Sequence, residues 1–190
     1  MTPSIKTIIP LIGLLIAGNI SAKDVAGVSI PDQATLVGKT LNLNGAGIRS
    51  KFVFDIYIGG LYLSQNSHDV KHILSMAGPK RVLMHVLYDE VDKEKLTGGW
   101  TAGFENNLST QDFKALEPRL ADFNKLFVDL KTGDQVLLDY LPGKGTQVTI
   151  KQQIRGTIPG EDFNRALLQV WLGHDPADAD LKEAMLGNED

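Results

Sequence analysis

Lys51-Phe52-Val53-Phe54-Asp55-Ile56-Tyr57-Ile58-Gly59-Gly60-Leu61-Tyr62-Leu63-Ser64 is the stretch on which the fold turns. Phe52, Phe54, Ile56 and Ile58 alternate onto one face, and Val53, Asp55 and Tyr57 onto the other. Two largely apolar faces predict a central strand covered on both sides. Gly59-Gly60 predicts a bulge or the close approach of another backbone. Immediately upstream, residues 40–49 read as a second strand kinked at Gly45-Ala46-Gly47, after a short lead over residues 24–39.

Downstream, period and punctuation alternate between helix and strand. Residues 67–76 read as a short helix with Ser67 as N-cap. Residues 80–88 alternate Val82, Met84, Val86 and Tyr88 against Leu83, His85 and Leu87, a strand pattern. Residues 92–108 read as a helix weakened by Gly98-Gly99. Residues 110–128 space Phe113, Leu116, Leu120, Phe123 and Phe127 by three and four, an amphipathic helix. Pro118 inside it predicts a kink or break. Residues 134–141 and 146–153 are strands joined by a Pro142-Gly143-Lys144-Gly145 turn, and residues 154–158 continue the second strand or form a third. Helices follow over residues 160–172 and 178–186, with Gly187 as the terminating glycine. Runs of strands followed by runs of helices predict an α+β protein, an antiparallel sheet with helices on one face.

Composition narrows the function classes. The chain has 190 residues, 43% of them hydrophobic, and a formal net charge of −4. One domain of roughly 100–200 residues accommodates it. Mild acidity argues against a nucleic-acid partner, which selects for a basic stripe. The absence of cysteine excludes disulfides, thiol catalysis, iron–sulfur clusters and a lipidated cysteine. Residues 1–22 read as a secretory signal peptide: Lys6, then the uncharged residues 8–18 (IIPLIGLLIAG), then Ser21-Ala22, with cleavage expected after Ala22. The apolar run is shorter than the ~20 residues of a membrane span, and nothing later approaches one. Residues 23–190 are then the single mature domain, one unit more negative for the loss of Lys6, and the expected location is the periplasm or the exterior.

Asn44-Gly45-Ala46-Gly47-Ile48-Arg49, then Lys51-Phe52, then Tyr57-Ile58-Gly59-Gly60-Leu61-Tyr62-Leu63, resembles the signature of the chalcone isomerase family. The likeness continues through residues 100–107, the hairpin over residues 134–150, and Trp171-Leu172-Gly173…Leu181…Leu186-Gly187, and is strongest to the exported bacterial branch. It implies an open-faced β-sandwich: a large antiparallel sheet covered by helices, a smaller sheet opposite, and a ligand in an apolar cleft between sheet and helices.

The resemblance also implies site residues. The arginine after Gly-x-Gly-x, here Arg49, steadies negative charge in the family's enzymes. Its guanidinium fork can hold a carboxylate in a ground state or stabilise a developing enolate. Tyr57 stands where the enzymes carry threonine and the fatty-acid-binding members carry tyrosine. Arg49 and Tyr57 together make a head-group site, with Tyr62, Trp100 and Phe104 as expected wall residues. Tyr88, Lys93, Lys95, Asn106 and Asn107 lie near the remaining catalytic positions of the enzymes without matching their register, so the catalytic set is incomplete. The expectation is therefore non-catalytic binding of a fatty acid or similar amphipathic anion, without a cofactor. The alternatives are an isomerase (intramolecular lyase) cyclising a phenolic, chalcone-like enone with Arg49 as its catalytic residue, and a cell-envelope helper with a vestigial cleft.

Other motifs carry less. His68 and His72 share a helix face at metal-ligand spacing, but no His-Glu-x-x-His pattern accompanies them, and no metal site is expected. Gly143-Lys144-Gly145-Thr146 lacks the frame of a phosphate loop and joins two strands. His85 and Asp55 read as hydrogen-bonded strand residues, and no serine lies in a nucleophile elbow.

Overall fold

A computed structural model describes residues 21–188. Most of the signal-peptide reading lies outside the described residues. The elements run β1 (Ala22–Val25), β2 (Val28–Pro31), β3 (Gln33–Leu36), β4 (Lys39–Lys51), β5 (Phe54–Leu63), α1 (Val70–Ser75), β6 (Lys80–Val86), β7 (Glu90–Val91), α2 (Lys93–Asn107), α3 (Thr110–Lys125), β8 (Leu130–Lys131), β9 (Gln135–Leu141), β10 (Gly145–Ile150), β11 (Gln153–Ile158), α4 (Glu161–Leu172) and α5 (Ala179–Met185). Seven strands form one antiparallel sheet in the order β11-β10-β9-β6-β5-β4-β3. The β1-β2 hairpin is a separate small sheet.

The alternation along β5 separates two cores. Tyr57, Leu61 and Leu63 join Val82, Met84, Val136, Leu138, Val148 and Ile150 beneath the helices. Ile58 and Tyr62 join Leu41, Ala46, Leu83 and Leu141 on the other face, under Val25 and Ile30 of the small hairpin. The architecture is thus α+β, an open-faced sandwich with a helical layer. α4 is buried almost all round, through Phe163, Leu167, Leu168, Val170, Trp171 and Leu172. Each such large apolar side chain contributes about 1.5–3 kcal/mol on burial.

The Asn44–Arg49 motif acquires a physical role here. Asn44, buried, donates to the carbonyls of Met185 (2.8 Å) and Ser67 (3.0 Å) and accepts from Ser67 N–H (2.7 Å). The strand bulges between Leu43 and Gly45. A Cβ at Gly45 would stand 2.0 Å from the Ala184 carbonyl oxygen, so glycine there lets α5 lie directly on β4.

Several local expectations change. Strand β5 begins at Phe54, because Phe52 and Val53 are the two-residue loop between paired Lys51 and Phe54. Gly59 and Gly60 carry no bulge: a Cβ at Gly59 would meet the Leu181 side chain at 3.1 Å, and the close backbone approach falls at Gly45. The N-cap of α1 is Asp69, whose carboxylate accepts from His72 N–H at 3.1 Å; Ser67 Oγ instead accepts from Asp69 N–H. α3 runs through Pro118 without a break, since the exposed ring frees a carbonyl on the solvent side. The lead over residues 24–39 contains three short strands, whose few alternating residues give too little period to read.

Candidate functional site

Between the β4–β5 end of the sheet and the helices lies an open cleft of about 360 Å³. Its floor is the cross-strand pair Arg49 and Tyr57. Ile56, Val91, Leu96, Trp100 and Val170 supply apolar walls, and Pro176 and Ala177 close one side. The loop carrying them is pinned to α2: Asn107 Nδ2 donates to the Asp175 carbonyl (2.8 Å), Asp175 N–H donates to Asn107 Oδ1 (2.9 Å), and Asn106 Nδ2 donates to the Asp175 carboxylate (2.6 Å). Gly99 also lines the cleft, and a Cβ there would meet nothing within 4 Å. The glycine that weakens α2 opens the wall.

The polar groups of the floor are only partly satisfied. Arg49 Nε is buried without a hydrogen-bond partner among the described residues, and the guanidinium makes no ion pair there. Its Cζ lies 5.7 Å from the centre of the Tyr57 ring. Tyr57 Oη accepts from Trp171 Nε1 at 2.9 Å. With that lone pair taken, the phenol proton remains to be donated. Burial raises the Tyr57 pKa, against a lowering by the Arg49 charge and the Trp171 hydrogen bond, so the phenol stays protonated at neutral pH. Trp100 Nε1, in the cleft wall, is also buried and unpartnered. Two buried N–H groups and one phenol proton beside the cleft thus have no acceptor of their own among the described residues, an arrangement that suits an anionic or carbonyl oxygen.

Of the five residues singled out in the sequence, Arg49, Tyr57 and Trp100 line the cleft. Tyr62 does not. It lies five residues after Tyr57 on the opposite face, where its hydroxyl donates to the Pro31 carbonyl at 2.8 Å. Phe104 is fully buried behind the wall, packed on Phe163 with ring centres 5.4 Å apart. The period-2 rule separates Tyr62 from Tyr57 once the strand is fixed. Phe104 lies one helical turn beyond Trp100, where α2 has turned into the helical core. The cleft also takes in Tyr88, Lys95 and Asn106, and adds Lys51, Glu90 and Asp175 at its rim. Lys95 pairs with Asp92, and no sequence spacing ties the Asp175–Ala177 loop to Arg49. His68 and His72 serve local structure: His68 Nδ1 contacts the Leu186 carbonyl at 2.6 Å, and His72 Nδ1 lies 3.4 Å from Ser67 Oγ.

A family model described as chalcone isomerase-like matches residues 22–187. The chain belongs to the chalcone isomerase-like family. A crystal structure of a fatty-acid binding protein from Arabidopsis thaliana superposes with a TM-score of 0.68 at 16% identity, covering 85% of this chain and 93% of that one. No curated protein sequence matches the chain. At that identity the structural likeness speaks for the fold. In the chalcone isomerase-like fold of this chain, the cleft lies between the large sheet and the helical layer, with the Gly-x-Gly-x-Arg arginine on its floor.

Proposed function

We propose that the cleft binds the carboxylate of a fatty acid or a similar amphipathic anion without transforming it. The observation that carries the reading is the floor: a cationic guanidinium with a buried, unpartnered N–H beside a phenol kept protonated by burial and oriented by Trp171. A carboxylate placed there receives charge-assisted hydrogen bonds from both, and its chain lies along Ile56, Val91, Leu96 and Val170. The volume is in the range of small-molecule sites, roughly 300–1,000 Å³. The structural neighbour named as a fatty-acid binding protein supports the same class of ligand. The signal-peptide pattern of residues 1–22 supports a periplasmic or secreted location.

The test is native mass spectrometry of the protein purified gently from its host, before and after denaturing extraction. A co-purifying acid of defined mass, absent from Arg49→Ala, is expected. A protein that is empty and takes up no dodecanoate or hexadecanoate in solution defeats the reading.

One observation favours a second reading. Tyr88 and Lys95 share the cleft with Arg49, so side chains able to move a proton border the same floor, as cyclisation of a phenolic enone requires. Cyclisation of hydroxychalcones faster than in buffer, lost in Arg49→Ala, is its signature; no turnover across several hydroxychalcones removes it.

A further inference from the structure

The hairpin tip joining β4 to β5 is an anomaly that binding in the cleft does not use. Phe52 is 92% exposed, Val53 88% and Phe54 51%. Other exposed large apolar residues, Val37 and Ile154, lie on separate elements. Isolated apolar residues on a surface are ordinary, whereas a contiguous cluster signals an interaction.

The turn chemistry sharpens the point. Phe52 and Val53 are the central residues of a two-residue hairpin, and Phe52 has φ of 59°. Such loops favour glycine, asparagine or aspartate, because a positive φ is strained for a bulky side chain. The chain holds an aromatic residue in an unfavourable conformation at a fully solvated apex.

The tip is also layered. Phe52 and Val53 form the apex. Beneath them, Phe54 packs edge-on against Tyr88, with centres 5.5 Å apart and planes at 71°. Tyr88 is held beside it by its N–H donating to the Ile56 carbonyl at 3.1 Å. Lys51, paired across the strands with Phe54, flanks the tip. Apolar apex, amphipathic aromatic belt and flanking cation follow the polarity gradient of a bilayer surface, from acyl chains through the interface to the head groups. Lys51 and Tyr88 are at the same time residues of the cleft, so whatever receives the tip also meets the cleft mouth.

We propose that this hairpin tip inserts into a phospholipid bilayer, with Phe52 and Val53 among the acyl chains and Tyr88 and Lys51 at the head groups, so that amphipathic anions pass between membrane and cleft without crossing bulk water. The proposal rests on the binding reading for the identity of the cargo, but not for the insertion itself.

Two measurements on the full chain test it. Phe52→Trp puts an indole at the apex, while Trp100 and Trp171 remain buried. Its emission is expected to shift to the blue on adding phosphatidylcholine vesicles, and to be quenched by brominated acyl chains. Phe52→Gly combined with Val53→Ser puts glycine at the positive-φ position, a favoured two-residue hairpin turn, so the fold is retained or stabilised. Its vesicle partition coefficient is expected to fall about tenfold or more, the consequence of withdrawing a phenylalanine from an apolar phase. Because neither residue lines the cleft, dodecanoate binding in vesicle-free solution is expected to be unchanged in the double variant. An apex indole whose emission ignores vesicles overturns the insertion, as does a double variant that partitions like the parent. So does a parent chain that ignores vesicles but self-associates through the tip in analytical ultracentrifugation. Insertion without dodecanoate binding by the parent leaves the tip assignment standing and defeats the cargo.

Discussion

Tyr57 and Tyr62 stand five residues apart on one strand, both almost fully buried, in opposite chemical situations. Tyr62 faces the small hairpin, where its hydroxyl donates to the Pro31 carbonyl, it packs among aliphatic side chains, and the Arg81 opposite it across the strands is itself paired with Asp139. Tyr57 faces the helices, where its oxygen accepts from Trp171 while its proton is left over, next to an Arg49 Nε without a partner. One face of the sheet satisfies its polar groups and works as scaffold. The other leaves donors unsatisfied at the edge of an apolar cleft, a cost tolerated where a ligand supplies the missing acceptor. Packing alone does not distinguish the two faces; hydrogen-bond accounting does.

The largest expected effect falls on Arg49. Arg49→Ala removes a charge-assisted interaction of about 1.5–3 kcal/mol, so affinity for dodecanoate by isothermal titration drops by roughly ten- to a hundredfold. The melting temperature is expected to hold, because the side chain makes no ion pair among the described residues. A variant that melts early with affinity intact would make Arg49 a scaffold residue and erase the contrast between the faces.

Next come the two tyrosines as a matched pair. Tyr57→Phe is expected to weaken binding by about 0.5–1.5 kcal/mol, with some loss of stability from the stranded Trp171 N–H. Tyr62→Phe is expected to cost a similar amount of stability and to leave the dissociation constant alone. Equal effects of both on binding would show that the cleft is not confined to one face.

A wall substitution sharpens the same contrast. Gly99→Ala adds a methyl group into open space and improves helix propensity by about 1 kcal/mol, so thermal stability is expected to rise. Gly99→Phe fills the cleft, and loss of fatty-acid binding with a retained fold is the expected result. Binding unaffected by that ring would move the ligand elsewhere.

The smallest effect is alkaline. Burial, partly offset by Arg81, pushes the Tyr62 pKa up to about 12, against about 10 in an unfolded chain. Below pH 10 both states keep the proton and nothing changes. Between pH 10 and 12 the unfolded state loses it first, so this group's contribution to stability declines as pH rises. Chemical denaturation across that window should show a shallower decline in Tyr62→Phe than in the parent; an identical slope would mean that Tyr62 is not held in its neutral form.

The sequence by itself determined the sheet-and-helix architecture. Alternation along residues 51–64 marked a strand covered on both faces, and the three-and-four spacing of residues 113–127 marked a helix, because side-chain burial repeats with the period of the backbone. Arg49 and Tyr57 were legible through the resemblance to the chalcone isomerase family that the Asn44–Arg49 motif and the following strand carry; that the two face each other across one hairpin is what the structure adds. The hairpin apex was not legible, since Phe52 continues the alternation of the strand although the chain turns there. Nor did sequence spacing reveal that Trp171, distant along the chain, orients the Tyr57 hydroxyl, that the Asp175–Ala177 loop closes the cleft, or that Tyr62 and Phe104 turn away from it. Those relations were decided by the tertiary structure alone, because they depend on which elements pack together and on how strand and helix faces are rotated once they do.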